Sequence, residues 1–186
     1  ANNFATTVSL KSVYTKEKVY FLMTYDDKTL SEQRAPWVLK DGKWAQLKDP
    51  DDKGGDNNKY YEDKMAFIWP ITTIPNFDKQ GCFVACHAGE TGKPYGNKYL
   101  SADGQLADIW HWKSIRNVGQ LDDQYLDNTK YDKDKSPEAG RKSDPKTSGG
   151  YADNKSDDGK LPKFALADNK PGGPGKYFII DSEKVP

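Results

Sequence analysis

The sequence predicts a mostly β fold, an antiparallel β-sandwich with one short helical segment and long polar loops. Three observations predict it. Apolar residues recur at every second position over Thr6 to Thr24, an Asp-Gly pair separates two tryptophan-bearing runs, and stretches of Asp, Lys, Gly, Asn and Pro divide one apolar run from the next. At 186 residues the chain has room for one core, so 1–186 is read as a single domain.

Taken in order, Val8 and Leu10, then Val19, Phe21 and Met23, occupy same-side positions of two strands joined at Thr15-Lys16-Glu17-Lys18. Trp37 to Trp44 is a strand, an Asp41-Gly42 turn and a returning strand, with Trp37 expected to pair with Trp44. Asp49 to Asn58 is loop chemistry, and Lys64 to Trp69 is a buried strand ended by Pro70. Over Asn76 to His87, Phe77, Gln80, Gly81, Val84 and Ala85 fall near one stripe, which predicts one short helix. Ile109 to Lys113 suits a strand or a helix equally. Residues 127–160 carry few apolar side chains, so they form a long surface excursion that lies on the domain or covers a bound group. Tyr177 to Ile180 is a final strand.

Charge and hydropathy exclude two classes of partner. Lys plus Arg at 28 balances Asp plus Glu at 28, which leaves no net field to hold a nucleic-acid backbone. No run approaches the ~18–20 apolar residues that cross a bilayer. The 5 Trp, 11 Tyr and 7 Phe still supply core material in a chain that is 30% charged. Ala1 to Ala5 resembles the residue left by signal-peptide cleavage, so an exported, periplasmic or otherwise extracytoplasmic protein is expected.

Two cysteines are too few for a disulfide scaffold, and they stand together in Cys82-Phe83-Val84-Ala85-Cys86-His87. In c-type haem attachment two thiolates add to the porphyrin vinyl groups, and the histidine after the second cysteine becomes the fifth iron ligand. Three intervening residues, rather than two, is the rarer spacing of that motif. Other readings stay open: two small core residues, a strained short-loop disulfide, or zinc held by Cys82, Cys86, His87 and His111. The chain's other histidine, His111, stands between Trp110 and Trp112 and is the candidate sixth ligand. Met23, Met65, Lys113 and Lys163 compete for that role, although a lysine must first lose its proton. Phe83, Trp110 and Trp112 are expected to wall the haem, and Lys113 and Arg116 to receive its propionates.

The series Glu62 to Ile71, then Phe77 through Cys82 to His87, then Ala107 to Ser114 and Gly119 to Tyr125, resembles the ethylbenzene-dehydrogenase-related haem-binding domain, from about Val8 to Ile180. That resemblance implies a β-sandwich related to the haem b gamma subunits of dimethyl-sulfoxide-reductase-like molybdenum enzymes. This chain is similar to the branch with Cys-x-x-x-Cys-His, in which haem is covalent. His87 stands where the gamma subunits carry an axial methionine. No residue matches their axial lysine, and Ala165 replaces a methionine common in related chains.

These readings converge on an exported monohaem c-type cytochrome that passes single electrons, its iron held by His87 and His111. A haem-based sensor or small-ligand-binding module with a labile sixth position is the alternative. No acid, base or nucleophile constellation points to an enzyme. The expected cofactor is one covalent haem c, and the expected partners are redox proteins, a molybdenum oxidoreductase or another cytochrome among them.

Overall fold

Alternating side chains and tight turns produce three antiparallel sheets in the computed structural model, which describes residues 6–31, 33–50, 59–86, 98–117, 121–145 and 154–163. The predicted mostly β, antiparallel class with a short helical segment is what the chain forms, and its sheets are open rather than closed into a barrel. The chain divides into two compact units, residues 1–30 and 31–186.

The first unit is a hairpin of β1 (Val8–Tyr14) and β2 (Val19–Tyr25). Val8 pairs with Tyr25, Leu10 with Met23 and Tyr14 with Val19, so period two puts these apolar side chains on one face. The Thr15 hydroxyl accepts the Glu17 and Lys18 amides at 3.3 and 3.1 Å and closes the turn.

In the second unit, β3 (Trp37–Lys40) and β4 (Lys43–Gln46) form a hairpin around Asp41 (φ 51°) and Gly42 (φ 73°). Positive φ at both central residues is what a two-residue turn of this hand requires. Lys40 therefore pairs with Lys43, Leu39 with Trp44 and Trp37 with Gln46, which corrects the expected Trp37–Trp44 pair. The Trp37 indole is buried and donates to the Asn154 carbonyl at 2.8 Å.

The main sheet has the order β5 (Lys64–Pro70), β6 (Ala107–Lys113), β7 (Asp122–Leu126), β8 (Arg141–Lys142). Ile109 to Lys113 is thus strand. β5 is half-buried rather than buried, with Ala66 and both ends exposed. Part of the polar 127–160 stretch joins this sheet as β8, where Lys142 pairs with Tyr125 and Arg141 with Leu126. The predicted final strand at Tyr177 to Ile180 lies outside the described residues.

Pleating sorts the main sheet into two faces. One carries Ile68, Ile109 and Gln124 in register, then Ala66, His111 and Asp122; the other carries Phe67, Trp110 and Asp123, then Met65 and Trp112. On the first face, Ala107, Ile109 and Leu126 pack with Ile74, Ala85, Cys86 and Leu100 as the core, and Ile68, Phe77, Cys82 and Val84 lie against it. The second face is aromatic: Phe67 stacks on Trp69 at 5.7 Å, and Trp69 meets Trp110 at 5.4 Å.

Candidate functional site

The expected single helix is two separate turns, α1 (Phe77–Gln80) and α2 (Cys82–Ala85). Gly81 divides them at φ 51°, ψ −130°, a conformation that a side chain strongly disfavours. Its amide still closes α1 on the Phe77 carbonyl at 2.8 Å, and the Cys86 amide closes α2 on the Cys82 carbonyl at 2.8 Å. Spacing of four residues on a helical turn puts both sulfurs on one side. They are hydrogen-bonded thiols with no disulfide between them. Its hydrogen bond with Cys86, and then burial, pushes the Cys82 thiol far up, so it is protonated in the folded chain. Cys86 is buried in the core, Cys82 half-buried at its edge.

This segment packs against the β6 face that also bears His111. Ile109 is a core neighbour of Cys86, and His111 follows two residues along the strand, about 7 Å on at the usual rise. The His111 Nδ1 lies 3.4 Å from Gln124 Oε1. Burial, followed by the nearby Lys113 charge, holds its imidazole down to about 4 from 6.5, so the ring is neutral at neutral pH. Neutral imidazole is the form that ligates a metal.

A buried polar network continues from this histidine. Gln124 Nε2 donates to Asp122 Oδ2 at 2.6 Å and to the Ser143 hydroxyl at 2.9 Å. Lys113 Nζ donates to the same Asp122 oxygen at 2.6 Å, and the Asp144 amide reaches Asp122 Oδ1 at 3.2 Å. Lys113 and Asp122 are 3% and 0% exposed, and burial lowers the lysine's pKa against the pull of its carboxylate.

The structure brings some of the sequence-predicted residues together and separates others. Cys82 and Cys86 belong to the core that packs on the sheet face bearing His111. Trp110 and Trp112 are carried to the opposite face with Met65, so the pleat separates them from the histidine that they flank in sequence. Phe83 is 76% exposed on the outer side of α2. Lys113 and Arg116, read as propionate partners, are engaged by Asp122 and Glu62. His87 lies outside the described residues.

Residues 2–177 match the family described as ethylbenzene dehydrogenase. The chain belongs to the ethylbenzene dehydrogenase family. No curated protein and no solved structure matches it. The family match takes in the hairpin, the cysteine segment and the main sheet alike, and membership points to an electron-transfer-related subunit. Among the described residues no helix is long and apolar enough to cross a membrane.

A covalent haem can be tested against this family domain's own side chains. Among the described residues no cluster of three or more His, Cys, Asp or Glu is placed to hold a metal ion. A haem iron takes four ligands from the porphyrin and asks the protein for only one or two. Two adjacent thiols packed on the sheet face that bears a neutral, half-buried imidazole are a donor set that fits that demand. Gln124 and Asp122 are the residues that sequence reasoning missed. Their signal was faint: buried polar side chains at alternate positions of Asp122 to Leu126, which look like an ordinary solvated strand edge until the register places them beside His111.

Proposed function

We propose that this member of the ethylbenzene dehydrogenase family is a monohaem c-type electron carrier, a non-catalytic partner of a redox enzyme. Cys82 and Cys86 hold the porphyrin by thioethers, and His87 and His111 hold the iron. When bound, the group supplies a one-electron Fe(III)/Fe(II) couple. The observation that carries the reading is the neutral imidazole of His111 on the sheet face against which the paired thiols pack. Two imidazole ligands favour a lower potential than a histidine–methionine pair, because a thioether ligand raises it. Met65 supports this choice, since it stands on the opposite face.

The partner we propose is a molybdenum oxidoreductase or another cytochrome, in keeping with the family. An extracytoplasmic location is part of the same proposal. Cell fractionation with a haem stain checks it.

The deciding experiment is a visible spectrum of the purified protein, oxidised and reduced, with acid-acetone extraction. Haem that stays on the chain and a sharp low-spin reduced spectrum are expected. His111→Ala converts that spectrum to high-spin. A wild-type spectrum that is already high-spin and binds small ligands would move the reading to a sensor, and a colourless protein sinks it.

A further inference from the structure

Gln124 is 3% exposed and sits on β7 directly across from Ile109, one pleat repeat from His111 on the same face. The Asp122 carboxylate fixes which way its amide points. Its Nε2 faces Asp122 Oδ2 at 2.6 Å and the Ser143 hydroxyl at 2.9 Å. A flipped amide would set a carbonyl oxygen against a carboxylate oxygen at that same short distance, a repulsive contact between two acceptors. The orientation is therefore determined, and the oxygen is the atom that faces His111 Nδ1 at 3.4 Å. An amide oxygen only accepts, so the proton belongs on Nδ1 and the lone pair on Nε2. Asp122 is held in turn by Lys113 and by the Asp144 amide, so the chain of contacts ends on buried charge and backbone rather than on a mobile surface group.

From this geometry we infer that Gln124 is the positioning residue of the site: it selects the Nδ1–H tautomer of His111 and so presents Nε2, rather than Nδ1, as the coordinating atom. The inference rests on the proposed haem reading only for the identity of the metal, because the tautomer is a property of the chain itself. An outer partner that accepts a ligand's ring proton orients the ring and raises its basicity, which stabilises the higher oxidation state of the metal. Gln124 thus does two things at once. It blocks Nδ1 as a donor atom and lowers the potential of whatever iron Nε2 holds.

The test begins on the haem-free chain with 15N-labelled histidine. Only 2 histidines are present, so His111→Ala assigns the spectrum. The wild type is expected to show the Nδ1–H tautomer at His111, and Gln124→Leu the Nε2–H tautomer that a free side chain prefers. Gln124→Met, unbranched and close to glutamine in volume, provides the same readout should the leucine variant fail to fold. In the haem-loaded protein both variants should keep the low-spin spectrum and shift the midpoint potential upward. An Nε2–H tautomer in the wild type overturns the inference, as does an Nδ1–H tautomer that survives both substitutions. Failure of the haem reading looks different: the preparation is colourless, while the tautomer measurement on the haem-free chain still decides what Gln124 does.

Discussion

Glu62 ties two parts of the second unit through one buried carboxylate. Its Oε2 accepts the backbone amides of Ile115 and Arg116 at 3.0 and 2.8 Å, and its Oε1 accepts Arg116 Nε in a short, charge-assisted bond. The glutamate side chain is fully buried and that of Arg116 nearly so. A buried ion pair is weak evidence for stability as a whole, but removal of one member leaves the other charge in a poor environment. Glu62→Ala should therefore cost about 3–5 kcal/mol. Glu62→Gln keeps an acceptor for the amides and should cost about 1–3 kcal/mol. Urea denaturation of the two variants against wild type measures both; equal, small losses would show that the carboxylate is not what holds the turn after β6. A second residue-scale prediction concerns acid. In the haem-free chain the His111 pKa is depressed to about 4 by burial and then by Lys113, so the unfolded chain binds that proton first. The associated stability is present in full above about 6.5 and is lost as the pH falls towards 4. Thermal melts of wild type and His111→Gln over that window should converge as the pH falls; parallel curves would refute the assignment.

At the scale of elements, the local rules were legible wherever one signal acted alone. Period two located β1 and β2, and Asp41-Gly42 located the β3–β4 turn. Chemical likeness suggests Trp37 opposite Trp44, whereas a two-residue turn fixes Lys40 opposite Lys43 and puts Gln46 across from Trp37. Ile109 to Lys113 suits a strand or a helix because its apolar residues, Ile109, Trp110 and Trp112, keep neither strict alternation nor a helical stripe, and so short a run does not separate the two. Once it is a strand, the separation of Trp110 from His111 follows by alternation. The helical stripe over Asn76 to His87 hid a break at Gly81, since a glycine is tolerated within a helical pattern. Two glycine substitutions probe this scale. Gly81→Ala should cost about 1–3 kcal/mol through its backbone conformation alone, because no atom stands within 4 Å of the added methyl. On the proposed haem reading it should also lower haem incorporation, measured as pyridine haemochrome per chain, by disturbing the lead into Cys82. Gly140→Ala fails for a different reason: its Cβ would run into the Asp127 carbonyl, whose carbon would lie 2.9 Å away. That backbone bonds Gly140 in return, with the Asp127 amide on the Gly140 carbonyl at 3.0 Å. The latter variant should detach β8 from β7, read as lost amide protection at Leu126 and Asp127; unchanged protection would show that this junction can yield.

At the scale of the whole molecule, the apolar core cluster belongs to the second unit alone, drawn from residues between Ile68 and Leu126. Among its described residues the first unit offers no comparable burial. Its strands leave Leu10 50% exposed, Val13 66% and Tyr14 86%, and a two-stranded hairpin is marginal in water without a third strand or a covering helix. Cross-strand pairs contribute only about 0.2–1 kcal/mol each, against a backbone entropy cost of ~1–2 kcal/mol for every residue fixed. The two units should therefore differ in autonomy. A peptide of residues 6–30 is expected to give a largely unordered circular-dichroism spectrum, and a fragment of residues 31–186 to unfold cooperatively in urea. Guanidinium titration of both pieces beside the full chain completes the comparison. A peptide that forms the hairpin unaided would mean that its own cross-strand contacts outweigh the entropy, and a fragment that melts without cooperativity would mean that the core around Ile109 and Cys86 is too small to stand alone.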